Sequence, residues 1–575
     1  MPRCRWELAD AWPDAPDVAR RLATAPLVVQ VLHNRGLDDE TQLRQFLKPQ
    51  LNDLVPPELL PDIEPAAERI AHAVRRGEKI TIYGDYDVDG MAAIAILRAC
   101  LKLSGADVHY YVPHRLEEGY GLNVDAIGKI AADGTKLLVT VDCGVTAHEP
   151  VRVATAAGLD VIITDHHTPP ATLPPARAIV HPNLPGWAYP NANLCGAGVA
   201  FKLAWQVARR LCGAARVDET MRAFLLEAMC LAALGTVADV VPLFGENRLL
   251  AIYGLRGLPS TRHPGLRALL DSAGLSGGKL DAYDIGFKLA PRLNACGRMG
   301  HAALAVELLT DASPQRAAEI AAFLDGQNRQ RQEVERQIAQ QACEMVAAAG
   351  YDRPDCPAIV LASDDWHGGV IGIVASRLVD RFGRPAVLIA LNGDGLGHGS
   401  ARSVPGFHIA SAFAACGGHL VSFGGHAMAG GLKIQPANID AFRDAFLAHA
   451  REKIGPCDPT PVLKLDAQVT LAALGQAVVE HLERLAPFGE GNPPPSVAVR
   501  GCRLLGPPRR MGTKGGTIGM LLEQDGVRMR AVGFGMGELA DALVGVNTLD
   551  VAGQPMLNRY NGAVSVELRI KDVSL

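Results

Sequence analysis

Several things are scarce in this 575-residue sequence, and each scarcity excludes something. Its twelve cysteines contain no Cys-x-x-Cys pair, which argues against a structural zinc site and against a disulfide framework. Cys100 and Cys230 stand in apolar helical patterns and read as small core residues. The longest uncharged apolar run, 228–238, is eleven residues, against about 20 for a bilayer span. The N-terminal stretch MPRCRWELADAWPDAP has no apolar h-region, so no secretory signal is expected. A soluble cytoplasmic protein without a membrane partner follows as the expectation. No G-x-x-x-x-G-K-[ST] loop occurs, so ATP-driven movement is not expected, and no internal repeat is visible. Aromatics are only 5% of the chain, and a formal charge of −5 means that any nucleic-acid surface must be a local basic patch.

What is present suits a large globular chain. Hydrophobic residues make up 48% and charged residues 20%, enough for real cores. Glycine (60) and proline (38) together exceed the usual share of about 12%, which points to many sharp loops. At roughly 150 residues per domain, three or four domains are expected. Residues 1–60 read as an irregular lead-in with one short helix near 38–46. From 61 to 312 the pattern alternates: strands at 79–83, 107–112, 136–141 and 160–164 separate helices at 91–103, 123–132 and 147–157, and 225–234 is apolar enough for a buried helix. That rhythm predicts a doubly wound α/β domain with a parallel sheet. Residues 313–350 predict a long, polar linker helix, 351–455 a smaller α/β domain with glycine-rich loops, and 460–575 a small β-barrel.

The acidic strand ends carry the most information. Gly84-Asp85-Tyr86-Asp87-Val88-Asp89-Gly90 follows one strand, Asp142 the third, Asp165-His166-His167 the fourth, and Asp239 ends the apolar helix. If 85–89 is extended, its three aspartates point the same way. In a doubly wound sheet the strand C-termini share one crevice. Five or six carboxylates there without counter-charge repel one another by several kcal/mol. Divalent cations resolve this. Oxygen ligands alone suit Mg²⁺, an added imidazole shifts the preference toward Mn²⁺, and a shared carboxylate is the usual device of a two-ion hydrolytic site. One Asp after a strand is commonly a turn former or helix cap. Four acidic clusters, each at the end of an apolar element, are not explained that way.

GDYDVDG, VDCG, TDHH and GTVADVVPL, in this order, resemble motifs I to IV of the DHH phosphoesterase superfamily. The segments LAPRLNACGRMG (289–300), WHGGVIGIVASR (366–377) and LAPFGEGNP (485–493) are similar to the RecJ family of single-strand-specific exonucleases, from about residue 40 onward. The resemblance implies a DHH domain at 61–312, a DHH-associated domain at 351–455 and an OB-like barrel at 460–575. It implies metal ligands at Asp87, Asp89, Asp142, His166 and Asp239 with Asp85 adjacent, His167 beside the scissile phosphate, and Asp165 orienting an imidazole. Tyr83 stands where simpler relatives carry a histidine. The implied activity is 5′→3′ hydrolysis of single-stranded DNA in repair and recombination, with two ions, Mn²⁺ preferred or Mg²⁺. The implied partners are single-stranded DNA, single-strand-binding protein and a recombination helicase; apart from the resemblance, a monomer is expected.

Substrate contacts are sought among local cations and flat side chains. Arg292, Asn294 and Arg298 are expected in one glycine-flanked loop that contacts phosphate. Arg329, Arg331 and Arg336 on the linker helix read equally well as a solvated face balanced by Glu333 and Glu335. Loops at 397–403 and 424–431 bring backbone close to a ligand, with Gly425 and His426 in the second. Ser400 and Arg402, with Arg115, are candidates for a clamp on a terminal 5′-phosphate, unless Arg402 pairs with a core carboxylate. Arg509, Arg510 and Lys514 in one barrel loop, and Tyr560 in a turn, would form the barrel's strand-binding face, with Tyr560 alternatively a barrel plug. Two other functions fit the motifs: a phosphodiesterase of short oligonucleotides or cyclic dinucleotides, or a non-catalytic DNA-binding relative. The long helix and terminal barrel favour a polymer substrate over the first, and the full set of motif aspartates disfavours the second.

Overall fold

The computed structural model describes residues 4–114, 118, 121–213, 216–391, 395–454, 460–513, 515–560 and 562–575. The chain forms two compact units: Met1–Gly297 with Ala302–Ala322 and Val462–Leu575, and Arg298–His301 with Phe323–Pro461.

The first unit is built on a parallel sheet. Its strands are β2 (Ile80–Gly84), β3 (Val108–Tyr111), β4 (Leu137–Val141), β5 (Asp160–Thr164) and β6 (Ala178–Val180), in the order β3-β2-β4-β5-β6. β2 and β4 are buried along their whole length, so both faces need cover. Helices Val124–Ala132 and His148–Ala156 bury Leu138, Val161 and Ile163 on one face. The other face takes α1 (Val88–Leu103), α2 (Gly196–Cys212) and α3 (Glu219–Ala238), and α4 (Gly245–Gly257) packs on α3. The strand order reverses between β2 and β4, the switch point where open sheets of this kind bind ligands. α3 is long and apolar enough to cross a membrane, but its apolar stretch is 61% buried against protein, as in a core helix.

The expectation of an irregular lead-in is wrong. Strand β1 (Arg5–Leu8) pairs in parallel with β12 (Val462–Leu465), and helices Ala15–Leu22, Pro26–His33 and Glu40–Leu47 share a core with Leu482 and Leu485. Prolines in the first turns of the first two helices stand where a missing N–H does no harm. The LAPFGEGNP segment is held from two sides. Arg248 of α4 lies over the Phe46 ring and donates to the carbonyls of Leu485 (2.8 Å) and Ala486 (2.9 Å). Asn492 Nδ2 donates to those of Leu485 (2.9 Å) and Pro487 (2.8 Å).

The C-terminal barrel contains β13 (Ala467–Gln468), β14 (Val497–Leu504), β15 (Arg509–Met511), β16 (Thr517–Gln524), β17 (Val527–Phe534), β18 (Thr548–Tyr560) and β19 (Ala563–Ser574). β14, β18, β19, β17 and β16 follow one another, and β16 pairs back to β14, so five strands close a ring. Its core holds Val497, Ile518, Leu522, Val551 and Leu568. Arg509 and Arg510 lie on the outer strand β15 rather than in a loop, and Arg510 pairs with Asp541. Tyr560 is 71% exposed at the end of β18, so it does not plug the barrel. Lys514 lies outside the described residues.

In the second unit β7 (Ile359–Ser363), β8 (Ala386–Ala390), β9 (Gly397–Arg402), β10 (Ser422–Gly425) and β11 (Ala429–Ile434) form a sheet ordered β10-β11-β9-β8-β7, parallel only between β7 and β8. The expected glycine-rich loops are therefore largely strands. A Cβ on Gly430 would lie 2.8 Å from both Ile409 and Phe413, so the sheet needs glycine there to pack on helix Ile409–Ala415. The linker helix runs from Pro314 to Ala349, 36 residues. Ile338, Ala342 and Val346 on its later half pack with Trp366 and Leu378 of the second unit. Arg329, Arg331 and Arg336 are each paired within the helix, with Asp325, Glu335 and Glu333 respectively.

Candidate metal centre

The strand ends β2, β4 and β5 deliver their acids to the same crevice. The 85–89 segment does not do so as an extended loop, because α1 already begins at Val88. Asp87 is the helix N-cap, accepting from Asp89 N (2.9 Å) and Gly90 N (3.0 Å), and Asp89 lies in the first turn. Asp142 follows β4 at φ 60°, a left-handed conformation, and is buried. His166 Nε2 stands 3.0 Å from Asp142 Oδ1, 3.6 Å from Asp239 Oδ2 and 3.8 Å from Asp89 Oδ2. Three overlapping groups offer ligand atoms within 4.8 Å of one another: Asp85, Asp87 and Asp142; Asp89, His166 and Asp239; Asp142, His166 and His167. Carboxylate oxygens with imidazole nitrogen are a donor set for cations of the Mg²⁺ and Mn²⁺ class.

The local electrostatics favour a cation. Burial, then Asp89, Asp87, Asp85 and Asp239, hold the Asp142 carboxyl well above the usual carboxylate range. Burial raises Asp89 as well, and burial with Asp89 and Asp87 pushes Asp239 up to about 8. Burial lowers His166, which favours the neutral imidazole that a metal needs. Asp165 is different. Burial alone would raise it, but hydrogen bonds from His167 Nδ1 (2.7 Å), Val145 N (2.9 Å) and the His167 amide keep it near 2. Against its own desolvation, His167 is lifted by Asp165 to about 9. Tyr83 takes no part: it is buried on the opposite face, stacked on Tyr111, with its hydroxyl donating to Gly121 O (2.9 Å).

Some supporting groups carry no sequence signal of their own. The first amides of α2, Gly196 N (2.6 Å) and Ala197 N (2.9 Å), donate to the two Asp89 oxygens, so a 17-residue helix points its positive end at that carboxylate. Buried His181 Nε2 lies 2.8 Å from His167 O, and Asn294, expected to contact phosphate, has its Oδ1 accepting from Val88 N (3.1 Å). Small residues let these segments meet: a Cβ on Gly196 would lie 2.6 Å from Asp142 Cβ, and one on Gly297 2.6 Å from Tyr86 O.

Three stretches of the chain match known families: residues 79–233 the DHH family N-terminal domain, 355–452 the DHHA1 domain and 465–572 the RecJ OB domain. The single-stranded-DNA-specific exonuclease RecJ of Bacillus subtilis is 38% identical over 575 residues, all of this chain and 71% of that protein. The Escherichia coli K12 protein of the same name is 36% identical over 479 residues, 82% of each chain. The chain belongs to the RecJ family. A crystal structure of Thermus thermophilus RecJ in complex with Mn²⁺ superposes with a TM-score of 0.84 at 32% identity, covering 100% of this chain and 80% of that one. A second, in complex with Mg²⁺, gives 0.78 at 30% identity, covering 100% and 79%.

The other residues singled out in this RecJ-family sequence are distributed as follows. Arg292 and Asn294 lie in α5 (Ala290–Arg298), with Arg298 its last residue, so the expected loop is a helix. Pro291 comes just after the π-helical turn Ile285–Leu289, where the regular hydrogen-bond ladder is already interrupted. Arg292 donates to Lys288 O (2.6 Å) and Arg298 to Gly369 O (3.1 Å). Ser400 and Arg402 share β9, with Arg402 Nη1 3.3 Å from Ser400 Oγ and 2.8 Å from Ala401 O. Both meet the first turn of helix Ile371–Phe382, where a Cβ on Gly372 would lie 2.8 Å from Ser400 Oγ and 3.3 Å from Arg402 Nη2. Gly425 ends β10 and exposed His426 follows, its amide donating to Ala429 O (2.8 Å). Arg115 lies outside the described residues.

Sequence reasoning missed a cleft of about 1980 Å³ beside Asp239. Val237, Ala238 and Val240 line it, with exposed Tyr283 and Phe287 stacked at 4.6 Å between ring centroids on the same domain. The barrel contributes Met556 and Phe534, with Arg569 5.3 Å from the Phe534 ring centre.

Proposed function

We propose that this chain is a divalent-metal-dependent exonuclease that hydrolyses single-stranded DNA from the 5′ end and serves DNA repair and recombination. The observation that carries the reading is the overlap of three ligand groups at Asp142 and His166. Two ions fit that overlap, one toward Asp85, Asp87 and Asp142 and one toward Asp89, His166 and Asp239, and the imidazole favours Mn²⁺ over Mg²⁺. When bound, such ions activate water and offset charge on the phosphate. Asp87 and Asp89 are held before any ion arrives, by the α1 cap and by the α2 amides. His167, kept protonated by Asp165, presents Nε2 toward a non-bridging phosphate oxygen and stabilises charge as the phosphorus is attacked. Single-strand-binding protein and a recombination helicase are the protein partners this reading implies, and the chain acts as a cytoplasmic monomer.

A Ser–Arg pair against the first turn of a 12-residue helix suits a phosphate monoester, which supports an end clamp by Ser400 and Arg402. Linear 5′-phosphorylated strands are then degraded and covalently closed circles of the same sequence are not, by gel assay. Equal loss of both would remove the clamp.

The aromatic cleft supports a path for the strand beyond the metal centre. Stacking on an aromatic contributes about 1–3 kcal/mol per base. The double variant Tyr283→Ala/Phe287→Ala is expected to weaken oligonucleotide binding by roughly tenfold or more, read by fluorescence anisotropy in chelator. An unchanged Kd takes the cleft off the path.

A further inference from the structure

The LAPFGEGNP turn contributes no ligand to the metal cluster, yet it grips the segment that carries Asp239. α3 ends at Ala238, and Val240 takes φ 58°, a left-handed conformation that strains a β-branched side chain. Val240 is 63% exposed, so burial does not hold it, and regular structure resumes only at Gly245. The segment is pinned a few residues further on. Leu243 N donates to Glu490 O (2.9 Å), and Asn247 Nδ2 donates to Pro242 O (3.1 Å). Leu243 and Phe244 lean on two glycines: a Cβ on Gly489 would lie 2.7 Å from Leu243 Cδ1, and one on Gly491, itself at φ 69°, 2.9 Å from the Phe244 ring. Arg248 and Asn492 in turn fix the carbonyls of that turn.

We propose that the 485–491 turn is a positioning element for Asp239 and thereby sets cation affinity from outside the ligand cluster. The inference rests on the metal reading of the site. Its geometry is that of an outer support: the groups that orient a ligand typically change metal affinity or activity ten- to a hundredfold when lost.

The test is Mn²⁺ binding by the whole chain, followed through the spin-resonance signal of unbound Mn²⁺, beside oligonucleotide binding in chelator and cleavage kinetics. Gly491→Val forces a branched side chain against Phe244 at a left-handed position. It is expected to weaken Mn²⁺ binding about ten- to a hundredfold. It also lowers kcat with KM for the oligonucleotide unchanged, and excess Mn²⁺ returns part of kcat. Leu243→Ala, which empties the contact without backbone strain, gives a smaller loss of the same kind and serves if the first variant does not fold. An unchanged Mn²⁺ isotherm in a folded variant overturns the positioning role. If the parent chain itself binds no Mn²⁺, the metal reading fails, and the parent alone separates the two results.

Discussion

Asp142→Asn abolishes strand cleavage and, in chelator, raises the melting temperature of the protein. Asparagine tolerates the left-handed φ of 60° at this position, so the backbone is kept and only the charge is lost. Removing an anion that faces both sides of the cluster forfeits several kcal/mol of charge stabilisation in hydrolysis, roughly a thousandfold or more in rate. The stability effect has the opposite sign. Asp89, Asp142 and Asp239 are held above their unfolded values, Asp239 at about 8. Between about pH 4 and 8 the folded state therefore binds more protons than the unfolded chain, and the metal-free protein loses stability as pH rises through that window. The variant removes part of the repulsion and flattens the decline, which calorimetry across pH 4 to 8 reads directly. Turnover at the parental rate with Mn²⁺ would mean the site has been misassigned.

Lys202→Met unfolds the first unit far more readily than a surface change. Lys202 on α2 and Glu246 on α4 are both fully buried, with Nζ 2.5 Å from Oε1, and Tyr189 donates to the other Glu246 oxygen (2.6 Å). Burial lowers the Lys202 ammonium, and Glu246 pulls it back up. Methionine fills the volume but leaves Glu246 charged and deprived of its main partner, a loss of roughly 3–5 kcal/mol. The double variant Lys202→Met/Glu246→Leu recovers most of it, because the burial of both charges is then avoided. Urea denaturation of the three proteins measures this, and a single variant within 1 kcal/mol of the parent is the contrary result. Because α2 also presents its first amides to Asp89, the single variant loosens the metal centre too.

The parallel sheet was legible because β2, β4 and β5 are short apolar runs that each end in an acid, and burial on both faces leaves a strong sequence signal. The candidate ligands were legible for the same reason. The logic of their convergence was not. Alternation in an extended loop was the wrong account of 85–89, since the competing tendency of Asp87 to cap a helix prevails. The strand at 397–402 and the start of the one at 429–434 were read as loops because their glycines suppress any period-two pattern, although those same glycines admit Leu432, Ile409 and Phe413 into the sheet's packing. The amides of Gly196 and Ala197 on Asp89 were invisible, because backbone donors 107 and 108 residues away carry no side-chain label. The cleft aromatics were missed because Tyr283 stands just before, and Phe287 within, an unusual helical turn at Ile285–Leu289, and they match neither a core nor a barrel pattern.

The order in which the supports of the acids occur along the chain has a consequence for synthesis on the ribosome. Val88 is tied down by Asn294, Tyr86 is packed on Gly297, and the segment after Asp239 is fastened to Glu490. A nascent polypeptide therefore displays every acidic motif long before it has the later residues that lock them in register. The supports of the acidic motifs are complete only once the chain has been made as far as Glu490.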